Sequence, residues 1–404
     1  MPGRGWKWIF MVAIAHASCL WKPITPIWNE SDAIVLEARN QSPHLCNSSE
    51  HYIPWGGVSG NQPMRVIRLN FHFMNSRDST RNLTGEDAVR FATELVKEAN
   101  YDLAHNQPMR LPLGNSTPVL DPLLRYKIAR KATGQPAIYE HFDDAHYYLV
   151  KRGRYRNNYD TRVIDQYGVG LDSILNVFIQ VPPPDSMMGE NYGGLKTGVA
   201  LRNGIRISGP LLEDARVYTY SGMFNHEVGH VLGLRHSWVR DQCEDTPEHP
   251  NCWNFTNDGS VCDSLVSNNV MDSNADQDAL TPCQIGIMQQ SLTTSGSRGR
   301  GYLRPDHCRK QDLDPIRIRD TVEWCREMDV VTDIVIGRNS QLIVSNRLSI
   351  PAGGRIYIEK KGKLVLRSTA VLHNACGLGW EGIFSRSGDP GQIVVEEGAR
   401  IVLE

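Results

Sequence analysis

No CxxC pair occurs in the 404 residues, which argues against zinc ribbons and thioredoxin-like redox sites. There is no basic excess either: 43 Lys and Arg stand against 45 Asp and Glu, so the charge footprint of a nucleic-acid partner is missing. No acidic block suggests a disordered tail. The apolar run Trp8 to Ala15 is far short of the ~20 residues of a spanning helix, so no transmembrane helix is expected there. What is present is ordinary globular material, 40% hydrophobic and 22% charged, enough for a real core. The length suggests two domains with a small extra segment.

Arg4 and Lys7 precede that apolar run, and Ala15-His16-Ala17 follows it. A basic start, a short apolar stretch and a small-x-small site form a secretory signal peptide, residues 1–17. The alternative is a buried N-terminal element. Cys19 admits a lipid anchor, although His16 stands where such sites favour an aliphatic residue. The protein is therefore expected to be secreted or held at the cell surface. Nine cysteines fit export as disulfide partners. Their number is odd, so at least one is free, lipidated or paired between chains.

Residues 18–63 lack periodicity and read as an irregular lead-in or short pro-segment. Val66 to Phe73 alternates as a strand. Thr84 and Asp87 approximate a capping box before a helix whose apolar positions 88, 91, 92, 95, 96 and 99 share one face. Ser173 to Val181 and Gly204 to Ser208 read as strands, and Tyr220 to Leu234 as a helix. A first domain is assigned to 64–300 and a disulfide-linked connector to 301–330. From 331 to 404, short strands such as Gln341 to Val344, Arg355 to Ile358 and Lys363 to Leu366 are punctuated by Gly. Even spacing without a helical period suggests a β-solenoid, with a β-sandwich as the alternative. The pattern runs to Glu404 without a capping repeat, so the sequence is expected to be the front part of a longer protein.

The chemistry is concentrated in His226-Glu227-Val228-Gly229-His230-Val231-Leu232-Gly233-Leu234-Arg235-His236. On a helix His226 and His230 share a face. Gly233 can adopt the left-handed conformation that ends the helix and returns His236 as a third ligand. Three nitrogens with an open fourth position suit catalytic zinc, and Glu227 is placed to act as the base on an attacking water. With 35 Gly and 13 His in the chain, chance matches the last two motif positions at roughly 0.003, so surface histidines are a poor alternative.

The long motif HExxHxxGxxH resembles that of the metzincin clan of zinc metallopeptidases. Ser267-Asn268-Asn269-Val270-Met271-Asp272 looks like the clan's methionine turn. Cys243-Glu244-Asp245-Thr246-Pro247, Asn251-Cys252-Trp253-Asn254 and Leu280-Thr281-Pro282-Cys283-Gln284 resemble the pappalysin branch, particularly its bacterial members. The resemblance covers roughly residues 64 to 300. It implies an α+β catalytic domain: a twisted, mostly parallel sheet, two long helices and an irregular lower half. It also implies secreted endopeptidase (peptide hydrolase) activity on protein or peptide substrates, with Met271 as structural support for the site. The strand near Gly204 to Ser208 would be the substrate-binding sheet edge. Relatives bind calcium near the loop that carries Asp241, Glu244, Asp245 and Asp263, and hard oxygen ligands suit that ion. A solvated acidic loop is the alternative.

The family usually has Tyr two residues after the turn methionine, where this chain has Ser273; Tyr218 and Tyr220 are candidate substitutes. Two disulfides are expected among Cys243, Cys252, Cys262 and Cys283; the residues alone leave three pairings open. The resemblance favours Cys243–Cys262 and Cys252–Cys283. Cys308–Cys325 is expected as a separate bridge. Cys46 has three readings: a thiolate that silences the zinc, a partner for Cys19, or a free thiol. The rival functions are a surface-binding solenoid carrying a degenerate peptidase domain, with Trp380 and Tyr357 stacking on sugars, and a hydrolase of non-peptide amides. Cleavage preference, natural substrate and oligomeric state are not written in the sequence.

Overall fold

The alternating stretch at Val66 becomes an eleven-residue strand, β1 (Arg65–Asn75), because its apolar residues meet partners on both faces. In this computed structural model the described residues are 46–54, 62–78, 81–183, 197–208, 217–386, 388 and 392–403, with the backbone of 22–23. The signal-peptide segment 1–17 and Cys19 lie outside them.

β1 is the centre of a six-stranded sheet. Its first half pairs in parallel with β2 (Leu124–Ile128) and its second half with β3 (Ile138–Phe142). On its other side lies β4 (Leu175–Gln180), also parallel. β5 (Thr197–Leu201) and β6 (Gly204–Ser208) form a hairpin at the far side, with β6 parallel to β4 and β5 antiparallel to β6. This corrects the expectation that 204–208 is the edge. β6 is buried at all five positions, and the Thr197–Leu201 strand that turns back from it is the edge.

α1 (Gly85–Ala104) buries Ala88, Phe91, Ala92, Leu95, Val96 and Ala99, the face that the spacing marks, together with Leu103. Its expected capping box does not form: the Thr84 side chain makes no cap bond, and Glu140 instead receives the Gly85 N–H at 2.8 Å. α2 (Ser221–Val231) carries the histidine motif and packs against α1. α3 (Pro282–Thr293) has Pro282 in its first turn and a reciprocal Thr281–Gln284 capping box.

Beyond α3 the strands deal themselves in turn into three sheets. β7 (Ile316–Ile318), β8 (Thr321–Trp324) and β9 (Met328–Asp329) each found one sheet; β10 (Ile334–Ile336), β11 (Gln341–Val344) and β12 (Arg347–Ser349) stack on them in order. β13 (Arg355–Ile358), β14 (Lys363–Leu366) and β15 (Val371–His373) make the third layer, and β16 (Gly382–Ser385), β17 (Ile393–Val395) and β18 (Arg400–Ile401) the fourth. Pairing between these layers is parallel throughout, unlike the antiparallel sheets of a sandwich. Ile316, Ile334, Ile356 and Ile383 lie in line, one per layer, so each layer buries the apolar face of the one before it. Trp380 belongs to this core. It is 6% exposed and its indole N–H donates to the Val402 carbonyl, so it offers no face to a sugar. The Tyr357 hydroxyl receives a hydrogen bond from Arg355, and its ring leans on Phe384.

Two features join the halves. Cys46 pairs with Cys325, and the Cys46 N–H donates to the Cys325 carbonyl at 3.1 Å. Cys308 pairs with Cys376. These pairs correct the expected Cys308–Cys325 bridge and leave Cys46 neither a partner for Cys19 nor a free thiolate for a metal. The reason is spatial: Cys46 and Tyr52 lie beside Cys325 and Arg326 of the connector, while Cys308 faces the third layer. Next to this, Asp329 is buried among Arg65, Arg300 and Arg347, with N···O distances of 2.7, 2.8 and 2.9 Å. Arg65 opens β1, Arg300 follows α3 and Arg347 opens β12, so one carboxylate ties three parts of the chain together.

Candidate metal centre

α2 ends in a Schellman motif: the Leu234 N–H donates to Gly229 O at 2.9 Å and the Gly233 N–H to His230 O at 3.1 Å. Gly233 has φ +103°, a conformation that strains any side-chain-bearing residue, and the reversal brings His236 back under the helix. His230 Nε2 then lies 3.0 Å from His226 Nε2 and 3.1 Å from His236 Nε2. Tetrahedral zinc with bonds of about 2.0–2.1 Å would separate its nitrogens by about 3.3 Å, close to this spacing.

The hydrogen bonds also set the tautomers. His226 Nδ1 lies 2.8 Å from Val270 O and His230 Nδ1 2.9 Å from Leu234 O. A carbonyl can only accept, so both Nδ1 atoms carry the proton and both Nε2 lone pairs point inward. Burial lowers His226 to about 3 and His236 to about 4, keeping the rings neutral, as metal ligation requires. Facing lone pairs at 3 Å repel unless a cation sits between them. This donor set fits a divalent metal, and the three histidines also form a group close enough to share one ion.

The scaffold behind the rings starts from the second half of the site. Met271 is fully buried, and its sulfur fills the space at Gly229, where an added Cβ would come within 2.5 Å of it. Asn269 Oδ1 receives the Met271 N–H at 2.8 Å, and the Asn269 side-chain amide pairs reciprocally with that of Gln284 in the α3 cap. The Gln277 amide donates to Asp272 O at 2.6 Å and to Val270 O, the carbonyl that orients His226. Trp238 stacks on the His236 ring at 4.0 Å. Sequence reasoning missed Asn269, Gln277 and Trp238 as supports; only Asn269 stood inside a motif.

Glu227 is buried beneath the edge strand, where it accepts the Ala200 N–H; burial pushes its carboxyl up to about 8. A cation at the three imidazoles would oppose that rise, because positive charge favours the carboxylate. Gly198 is what lets the strand lie so close: a Cβ there would meet Glu227 Oε1 at 2.5 Å and Cδ at 2.9 Å. The site opens into a cleft of about 930 Å³ that Lys151, Trp253 and Ser273 also line.

Of the two candidate tyrosines, Tyr218 lines the cleft and Tyr220 does not: it is fully buried in the core, edge-on to Phe91. The four acidic candidates do not gather into one ion site among the described residues. Asp245 accepts Thr281 Oγ1 and the Cys283 N–H, capping α3, and Asp241 accepts the Cys243 N–H and Thr246 Oγ1. Asp263 closes its own turn on Thr256, Asp258 and Gly259, and Glu244 is exposed. The cysteine pairs at disulfide distance are Cys243–Cys283 and Cys252–Cys262, correcting the favoured pairing. The Asp245 cap explains the first, since it draws the segment after Cys243 onto the N-terminus of α3, where Cys283 sits.

No protein-family profile matches the chain, and no curated protein matches it. Among solved structures, mirolysin in complex with compound 9 is 17% identical, with 60% of this chain and 96% of that chain covered and a TM-score of 0.42. Tannerella forsythia mature mirolysin in complex with a cleaved peptide is 16% identical over 59% of this chain and 94% of that chain, with a TM-score of 0.42. A Tannerella forsythia promirolysin mutant is 16% identical over 63% and 88%, with a TM-score of 0.43. At this overlap the likeness carries nothing about the chemistry, which rests on the residues themselves.

Proposed function

We propose that this chain is a secreted zinc-dependent endopeptidase of the metzincin type, with His226, His230 and His236 holding the metal and Glu227 as base. The observation that carries the reading is the convergence of three Nε2 atoms, with the tautomers of His226 and His230 fixed from behind, beside a carboxylate that lines the cleft. Zinc, when bound, supplies Lewis acidity toward the scissile carbonyl and lowers the pKa of the attacking water. Glu227 takes the proton from that water and returns it to the leaving amine. The Thr197–Leu201 edge offers backbone groups to an extended peptide, which adds as a further strand. Met271 and Gln277 hold the imidazoles in place. Ser273, which stands where the resembled family usually has a tyrosine, lines the cleft together with Tyr218.

Four cysteine pairs at disulfide distance suit an oxidising compartment, and no described helix is long and apolar enough to cross a membrane. The three parallel sheets support reading the C-terminal part as a β-solenoid. The burial of Trp380 counts against a sugar-gripping role for it.

Cleavage of reduced, carboxymethylated casein should stop on chelation with 1,10-phenanthroline and return with added zinc. Chelator-insensitive cleavage, or none in a zinc-loaded sample, would end this reading. A second outcome concerns the strand over the base. Gly198→Ala should displace Glu227 and lower kcat by about 10²-fold, the scale of a misplaced catalytic group, with the melting temperature little changed. An unaltered kcat would mean that the strand is not a constraint on the base.

A further inference from the structure

Residues 151–162 contain Lys151, Arg152, Arg154, Arg156 and Arg162 against a single carboxylate, Asp160, in a chain whose net charge is −2. Asp160 is taken by Arg162, which it binds through both oxygens. The other four cations are exposed, and among the described residues no ion pair engages any of them. Such a local excess is an attraction for an anion.

The loop that presents them is held rigidly. The Asn157 side chain accepts the Val150 N–H at 2.8 Å and donates to Tyr148 O at 2.9 Å, closing the base of the loop. Beneath it lies Arg206, 1% exposed, whose guanidinium donates to the carbonyls of Asn157 and Asp160 at 2.6 and 3.0 Å and to Gln180 Oε1 at 2.7 Å. A buried cation aimed at backbone carbonyls leaves the loop little ordering to lose on binding, which favours affinity.

Its location gives the patch a use. Lys151 and Arg152 line the catalytic cleft, whereas Arg154 and Arg156 line a separate hollow of about 730 Å³, and Asn158 and Tyr159 belong to both. The two spaces are therefore neighbours, with Asn158 and Tyr159 as the residues common to both linings. Arg156 lies over the Tyr159 ring at 4.7 Å, which holds the guanidinium toward the junction.

We propose that the 151–162 loop is a docking surface for an acidic stretch of the substrate polypeptide, lying outside the scissile bond. The inference rests on the peptidase reading, because adjacency to the cleft is what selects a polypeptide as the partner. A chain that left the cleft past Tyr159 would run from Lys151 and Arg152 toward Arg154 and Arg156.

The test uses the full chain and fluorogenic peptides with one common core, extended at either end by six glutamates or by a Gly-Ser tail. One glutamate-tailed peptide should show KM about ten-fold below its Gly-Ser counterpart at low salt, as expected for steering by a small charge cluster. The advantage should vanish near 0.5 M NaCl, roughly where the Debye length falls below 5 Å. Arg154→Gln with Arg156→Gln should bring the ratio of the two KM values close to one, and Arg154→Lys with Arg156→Lys should keep most of it. Equal KM for acidic and neutral tails in the wild type overturns the proposal. If no peptide is cleaved, the peptidase reading fails on its own. Fluorescence anisotropy of a labelled glutamate-tailed peptide then decides: binding that the double glutamine variant loses supports the docking surface, and no binding overturns it. Binding of a sulfated oligosaccharide with none of the acidic peptide also overturns it.

Discussion

Glu227→Ala is expected to keep its zinc and lose nearly all peptidase activity. The carboxylate is not among the three converging nitrogens, so metal content by mass spectrometry should match the wild type. Proton transfer by a positioned base contributes about 10²–10⁴ in rate, and here one residue makes both transfers, so the loss should lie at or beyond the upper figure. His230→Ala makes the contrast, since it removes the central nitrogen of the three and should lose metal and activity together. A Glu227→Ala protein that digested casein at close to the wild-type rate would overturn the assignment of the base. One that lost its zinc would show the carboxylate to be part of the metal site.

The largest effect on stability is expected at Asp329. Its carboxylate is held far below the ordinary range. Burial alone would raise it, but Arg65, Arg347 and Arg300 outweigh that and hold it ionised. Asp329→Ala would leave three guanidinium groups facing one another in a dry junction. Removing one partner of a buried ion cluster costs about 3–5 kcal/mol, and this should appear as a large fall in the urea midpoint. The pH dependence has a definite sign. A depressed carboxyl contributes stability above its unfolded pKa, near 3.9, and loses it as pH falls toward the folded value. The wild type should therefore weaken in acid below about pH 4, and the variant should lack that part of the acid transition. An unchanged midpoint for Asp329→Ala would mean that the cluster does not hold the halves together.

Legibility in the sequence followed the range of the interaction. The face of α1 could be read because residues 88 to 99 repeat at the helical period and meet one core. The His226 to His236 arrangement could be read because its geometry is local: one helix, one glycine turn, one returning ligand. The C-terminal strands could be read from their spacing, while the three-way dealing into sheets needed the register that brings Ile316, Ile334, Ile356 and Ile383 into line. What failed depended on distant segments meeting. Cys46 and Cys325 are 279 residues apart, and nothing in either neighbourhood marks the other. The Cys243–Cys283 pairing depends on Asp245 capping a helix that begins beyond Cys262. The edge strand was missed because five residues, two of them Gly and Ala, carry little pattern, although Gly198 in its interior is the type of residue that marks a close backbone approach.

The Cys46–Cys325 pair closes the six-stranded sheet and its helices into a covalent ring. A single cut at any point between those two cysteines opens the ring without releasing a piece, because both new ends remain linked through the bridge. If the chain is the peptidase proposed above, cutting of an exposed loop by another copy is one such event. A nicked molecule of this design would keep β1, the metal helix and the C-terminal sheets in one particle, and only reduction would free the fragments.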